Sequence, residues 1–112
     1  MNLLECKGDW ALVTGASSGI GAEFCRQLAR AGMNIVMVAR RKKLLDSLSA
    51  ELEYDYKIKT KILLIDLSES NSAELVKMAT TKEGIKIRLL INNAAFGPWG
   101  SFEKTSHKTY EK

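Results

Sequence analysis

Four short apolar runs punctuate the chain: WALVT (10–14), NIVMVA (34–39), KILLID (61–66) and RLLIN (88–92). Successive positions in them are apolar, which suits strands buried on both faces. Between the runs the period becomes helical. Ile20, Phe24, Leu28 and Ala31 make one stripe, with Glu23, Arg26 and Arg30 opposite. Gly32 fits the end of that helix. Leu44, Leu45, Leu48 and Leu52 make a second stripe. Ser68 suits the N-cap of a third helix over 69–81, with Leu75, Val76 and Ala79 turned to the core. Met33, Met37 and Met78 read as core fillers.

Strands that alternate with helices predict an α/β protein with a doubly wound parallel sheet, whose helices cover both faces. The expected strand order is 3-2-1-4, which leaves the fourth strand at an edge. A length of 112 residues allows one domain.

The first strand runs into ALVTGASSGIG (11–21), where glycines and serines gather as a helix begins. A helix N-terminus presents unpaired N–H groups and a partial positive charge, and so attracts phosphate. Gly15 suits the sharp turn out of the strand, Gly19 a close backbone approach by a ligand, and Gly21 close packing of helix on sheet. Ser17 and Ser18 offer hydroxyl donors. No Gly-Lys-Ser/Thr follows, so this is not a Walker loop.

Composition narrows the picture only slightly. Hydrophobic residues make up 46% and charged residues 27%, as in ordinary globular proteins. The net charge of +4 is mild, and no basic stripe interleaved with aromatics points to nucleic acid. The apolar runs are too short to span a bilayer. The first ten residues lack the pattern of a signal peptide. Cys6 and Cys25 have no metal-ligand or CxxC spacing, so two reduced thiols and a cytoplasmic setting are expected.

TGASSGIG (14–21) resembles the TGxxxGxG fingerprint of the classical short-chain dehydrogenases/reductases. Two further landmarks stand in the matching order. Asp66 and Leu67 close the third strand, where the family places an Asp against the adenine of its cofactor. NNAA (92–95) closes the fourth and resembles the family's NNAG, with Ala95 in place of Gly. The resemblance implies a Rossmann-like fold, truncated here after about four strands, with residues 1–112 the N-terminal part of a single dinucleotide-binding domain. The cofactor-binding residues it implies are Gly15, Ser17, Ser18, Gly19, Ile20, Gly21, Arg40, Asp66, Leu67, Asn93 and Ala94.

Cofactor choice turns on the end of the second strand, where an acid would bind a ribose 2′-hydroxyl. Here the strand ends in Ala39, followed by the cations Arg40, Arg41, Lys42 and Lys43. Cations are disfavoured at a helix start. The group reads either as a solvated loop or, the sharper reading, as facing an anion, the 2′-phosphate of NADP(H), with NAD the second choice of cofactor. Arg40 is the choice for direct contact, since guanidinium pairs with phosphate bidentately, and Arg41 is second.

The family's chemistry is hydride transfer between nicotinamide and a carbonyl or alcohol carbon, with a Tyr and Lys in a YxxxK pattern handling the proton. No such pattern occurs: Tyr54 and Tyr56 have Ile58 and Thr60 at the fourth position, and Tyr110 is followed only by Glu111 and Lys112. No catalytic residue is carried over, and no metal ligand is expected. His107 reads as solvent-exposed, and Trp99 lies in a loop suited either to packing or to bordering a substrate pocket. Two functional readings stay open. One is the N-terminal cofactor-binding portion of an NADP(H)-dependent oxidoreductase, homo-oligomeric at full length and acting on a small carbonyl or alcohol. The other is a self-standing, non-catalytic nucleotide-binding or regulatory module.

Overall fold

The computed structural model describes residues 3–93. After a 3-10 turn at Leu3–Cys6, four strands alternate with three helices. They are β1 (Trp10–Thr14), α1 (Gly19–Arg30), β2 (Asn34–Ala39), α2 (Lys42–Tyr56), β3 (Thr60–Leu64), α3 (Ser72–Lys82) and β4 (Ile87–Asn92). All pairings are parallel, in the order β3-β2-β1-β4, as the alternation predicts. Ala11 stands beside Ile35 on one side and Leu89 on the other, and Leu12 beside Val36 and Leu90. The β1–β4 register shifts once, between Trp10 and Ala11.

The two faces of the sheet build separate cores, because side chains alternate along a strand. Ala11, Val13, Ile35, Met37 and Leu89 meet Cys25, Leu28 and Ala29 of α1 and Leu45, Leu48 and Leu52 of α2. Leu12, Val36, Val38, Leu63 and Leu90 meet Ala73 and Val76 of α3 on the other face. Crossovers on both faces give the doubly wound, Rossmann-like arrangement.

Helix α1 is rotated from the expected stripe by about one position. Its buried residues are Gly21, Cys25, Leu28 and Ala29, whereas Ile20 is 66% exposed and Phe24 38%. Close approach explains the shift. A Cβ on Gly21 would stand 2.2 Å from the Gly15 carbonyl oxygen, so only a small-residue ridge fits against the turn. Helix α2 buries Leu45, Leu48 and Leu52 but leaves Leu44 exposed. In α3, Val76 is buried and Ala79 partly so, while Leu75 and Met78 are exposed; Met78 is not a core filler, unlike the fully buried Met33 and Met37.

Strand β3 stops at Leu64, two residues short of the apolar run, so Asp66 lies beyond the strand rather than in it. Helix α3 begins at Ser72 rather than at residue 69, with Asn71 as N-cap and no side-chain cap bond. Ser68 does not cap it, because both its hydroxyl and its N–H donate to Asp66 Oδ1, at 2.7 and 3.0 Å. An Asp followed two residues later by Ser closes a local turn that competes with helix initiation. Cys6 and Cys25 are buried in the core and form no disulfide. Burial pushes the Cys25 thiol up to about 12, against a weaker downward pull from Arg26.

Candidate functional site

The end of β1 is tied on both sides. Thr14 Oγ1 donates to Asn92 Oδ1 at 3.0 Å, and the N–H groups of Gly15 and Ala16 donate to the Val38 carbonyl at 2.9 and 3.3 Å. Gly15 then takes φ +65°, a left-handed conformation that glycine adopts without a Cβ clash, and turns the chain out of the sheet.

Ser18 caps α1. Its Oγ accepts the Gly21 N–H at 3.0 Å, donates to the Gly15 carbonyl at 2.9 Å, and accepts from Asn93 Nδ2 at 3.0 Å. The Gly15 carbonyl also accepts from the Ser18 N–H at 3.1 Å and from Asn93 Nδ2 at 3.3 Å. Ser18 has one hydroxyl proton, and it is committed inside the turn. Ser17, half-buried, makes no hydrogen bond among the described residues and keeps its hydroxyl uncommitted. The N–H groups of Ser17, Gly19 and Ile20 likewise have no acceptor among the described residues. A Cβ on Gly19 would meet nothing within 4 Å, so the space over the helix start is open.

A cleft of about 250 Å³ runs from this turn across the ends of β2 and β3. Gly15, Ser17, Ala39, Arg40, Ile65, Asp66, Leu67 and Ser68 line it. The glycine turn, the residue after β2 and the Asp-Leu pair after β3 therefore share one surface. Asn93 reaches the same turn from β4, while Gly21 is buried beneath it and Ile20 faces outward from the helix. Ala94 lies outside the described residues, as do Trp99, His107 and Tyr110.

The electrostatics of the cleft are divided. Among the described residues, Arg40, Arg41 and Lys43 have no carboxylate within ion-pair distance, whereas Lys42 pairs with Asp46 one helical turn on, at 2.6 Å. Helix α2 has no acidic residue in its first turn and no side-chain cap on its N-terminus. Asp66 is held below the usual carboxylate range, first by the Ser68 hydroxyl, then by the Ser68 N–H and, least, by the charge of Arg40. It is therefore ionised at neutral pH. Among the described residues no group of three His, Cys, Asp or Glu is placed to hold a metal ion, and no helix is long and apolar enough to cross a membrane.

The Ser68 turn and the Asn93 tether are absent from the sequence reading. The first had a local signal, the Asp-x-Ser spacing. The second had none, since 75 positions separate Asn93 from Ser18.

A parallel sheet with helices on both faces, and a glycine turn from a central strand into a capped helix, define a Rossmann-like α/β protein. The chain belongs to the short chain dehydrogenase family, whose profile matches residues 9–112. Members of this family are oxidoreductases that bind nicotinamide dinucleotides. The chain is 37% identical over 99% of its length to a 7beta-hydroxysteroid dehydrogenase of Collinsella aerofaciens, and spans 41% of that protein. A short-chain dehydrogenase from Sphingobium yanoikuyae, solved in complex with NADPH, superposes with a TM-score of 0.68 at 39% identity, covering 76% of this chain and 33% of its own. L-Sorbose reductase from Gluconobacter frateurii, solved with NADPH and L-sorbose, superposes with a TM-score of 0.74 at 27% identity, covering 81% of this chain and 35% of its own.

Proposed function

We propose that this chain is the N-terminal cofactor-binding portion of an NADP(H)-dependent oxidoreductase that moves hydride between nicotinamide and a carbonyl or alcohol carbon. The full-length protein then acts in the cytoplasm on a small molecule and as a homo-oligomer. The reading rests on one observation above all: Arg40, without a carboxylate partner among the described residues, lines the same cleft as the glycine turn, and no acid stands at the end of β2.

The residues present fit such a ligand. The open N–H groups of Ser17, Gly19 and Ile20, with the Ser17 hydroxyl, suit a diphosphate at a helix start. Gly15 and Gly21 give the turn its shape, and Ser18 holds it. Arg40 suits a 2′-phosphate, and Asp66 with Leu67 the adenine edge. Asn93 continues the site from the end of β4, and the family resemblance adds Ala94, which lies outside the described residues. When bound, the nicotinamide supplies or accepts the hydride; these residues bind and orient the dinucleotide. The NADPH complexes of the two similar structures named above support this choice of cofactor.

Isothermal titration with adenosine 2′,5′-bisphosphate and with 5′-AMP tests the reading. A charge-assisted hydrogen bond of roughly 1.5–3 kcal/mol corresponds to a preference of about tenfold or more for the bisphosphate. Equal affinity for the two would overturn it.

A further inference from the structure

We infer that Asn93 is a positioning residue that holds the Gly15 carbonyl and the Ser18 hydroxyl away from the ligand side of the glycine turn. The inference rests on the nucleotide reading above for its purpose, but on the hydrogen bonds alone for its mechanics. Asn93 Nδ2 donates to two acceptors, Ser18 Oγ at 3.0 Å and the Gly15 carbonyl at 3.3 Å. Those two groups are already joined by the Ser18 hydroxyl proton. The result is a closed triangle with one amide, one hydroxyl and one carbonyl at its corners.

Its effect follows from what a turn at an anion site must avoid. A carbonyl oxygen or hydroxyl lone pair facing the ligand would repel it and compete for the open N–H groups. Gly15 has φ +65°, a soft region of backbone space for glycine, so its peptide can rotate unless something holds it. Within the turn, the restraints on that carbonyl are the Ser18 N–H and hydroxyl, both from the same short loop. Asn93 is the restraint that comes from outside, at the end of β4. It also leaves the Ser18 hydroxyl no freedom to turn its proton elsewhere, since both lone pairs are taken, by the Gly21 N–H and by Asn93. The end of β4 thereby sets the shape of a turn made by β1 and α1.

Asn93→Leu removes the donor and keeps the branched shape at Cγ, at the cost of added bulk. Amide hydrogen exchange in the full chain is the primary readout. Exchange at the Ser18 and Gly21 N–H groups should rise at least tenfold, while the Val13 and Val36 amides of the central strands keep their protection. Affinity for ADP should fall about tenfold, with the ratio of adenosine 2′,5′-bisphosphate to 5′-AMP binding unchanged, because Arg40 is untouched. A general loss of protection would show that Leu had damaged the fold. The smaller Asn93→Ser is then read by the same amides and must reproduce the local rise. Unchanged exchange at Ser18 and Gly21 in a folded variant overturns the inference. If exchange rises there but the unsubstituted chain binds no ADP, the tether stands and the nucleotide reading fails.

Discussion

The β1–α1 turn and the β2–α2 turn leave the same end of the sheet next to each other, yet they are made in opposite ways. The first is uncharged. It is capped by Ser18, tied to Val38 and Asn93, and exposes backbone N–H groups. The second has an uncapped helix start and carries its character in side chains, Arg40 to Lys43, of which only Lys42 has a carboxylate partner among the described residues. A backbone site is only as good as the scaffold that shapes it. A side-chain site needs little more than its position at the cleft. Substitutions should therefore break the first through folding and the second through charge.

The largest expected effect is at Gly21. A Cβ there meets the Gly15 carbonyl oxygen at 2.2 Å, and backbone cannot move aside as a flexible side chain would. Gly21→Ala should cost about 3 kcal/mol in urea unfolding, at the upper end for overpacking. An unchanged midpoint would refute the close-approach account of α1. Arg40→Asp is its counterpart in the second turn. It should abolish the preference for adenosine 2′,5′-bisphosphate, a loss of roughly 2 kcal/mol in binding, and shift stability by less than about 0.5 kcal/mol. Loss of stability without loss of preference would reverse the contrast.

Ser18→Ala removes the cap and one corner of the tether, and should cost about 1 kcal/mol by the same unfolding measurement. Arg41→Ala removes no cap bond from α2 and should leave stability unchanged. The smallest loss expected tests how the two helices are joined. Arg26 of α1 donates to Glu51 of α2 at 2.7 and 3.3 Å, and this hydrogen bonding holds the Glu51 carboxyl below its usual range. The pair is partly exposed, so Glu51→Gln should cost only about 0.5 kcal/mol at pH 7. A lowered folded-state pKa contributes stability above the unfolded value and loses it as pH falls through the folded one. The difference in stability between the unsubstituted chain and Glu51→Gln should thus vanish in acid, below the usual carboxylate range. A difference that persists once the pH has fallen through the folded-state value, where the carboxyl is protonated in both states, would exclude the ion pair as its source.

Local pattern was enough to read the strands and their order. Each run of apolar positions calls for burial on both faces. A parallel layout with helices between the strands supplies it for β1 and β2, while the edge strand β3 stays half-buried and leaves Leu64 exposed. The glycine turn and the cations after β2 were equally legible, because each is a short stretch whose chemistry is complete in itself. Helix faces were less so. Ile20 and Phe24 look like core residues, and Gly21 and Cys25 do not, until the distance from α1 to the Gly15 carbonyl is known. The start of α3 is ambiguous in the sequence for a similar reason, since Ser68 is equally suited to cap a helix or to close a turn on Asp66.

The order of elements, the parallel sheet and the residue types at each strand end were thus determined by the sequence alone, through periodicity and composition. The tertiary structure decided which hydroxyl is committed and which stays open, which way the Gly15 carbonyl faces, and which cations lack a partner among the described residues. These depend on contacts such as that between Asn93 and Ser18, made across 75 positions of chain. Periodicity reports which face of an element is apolar; it carries no information on which distant donor will arrive at a given acceptor once the sheet has assembled.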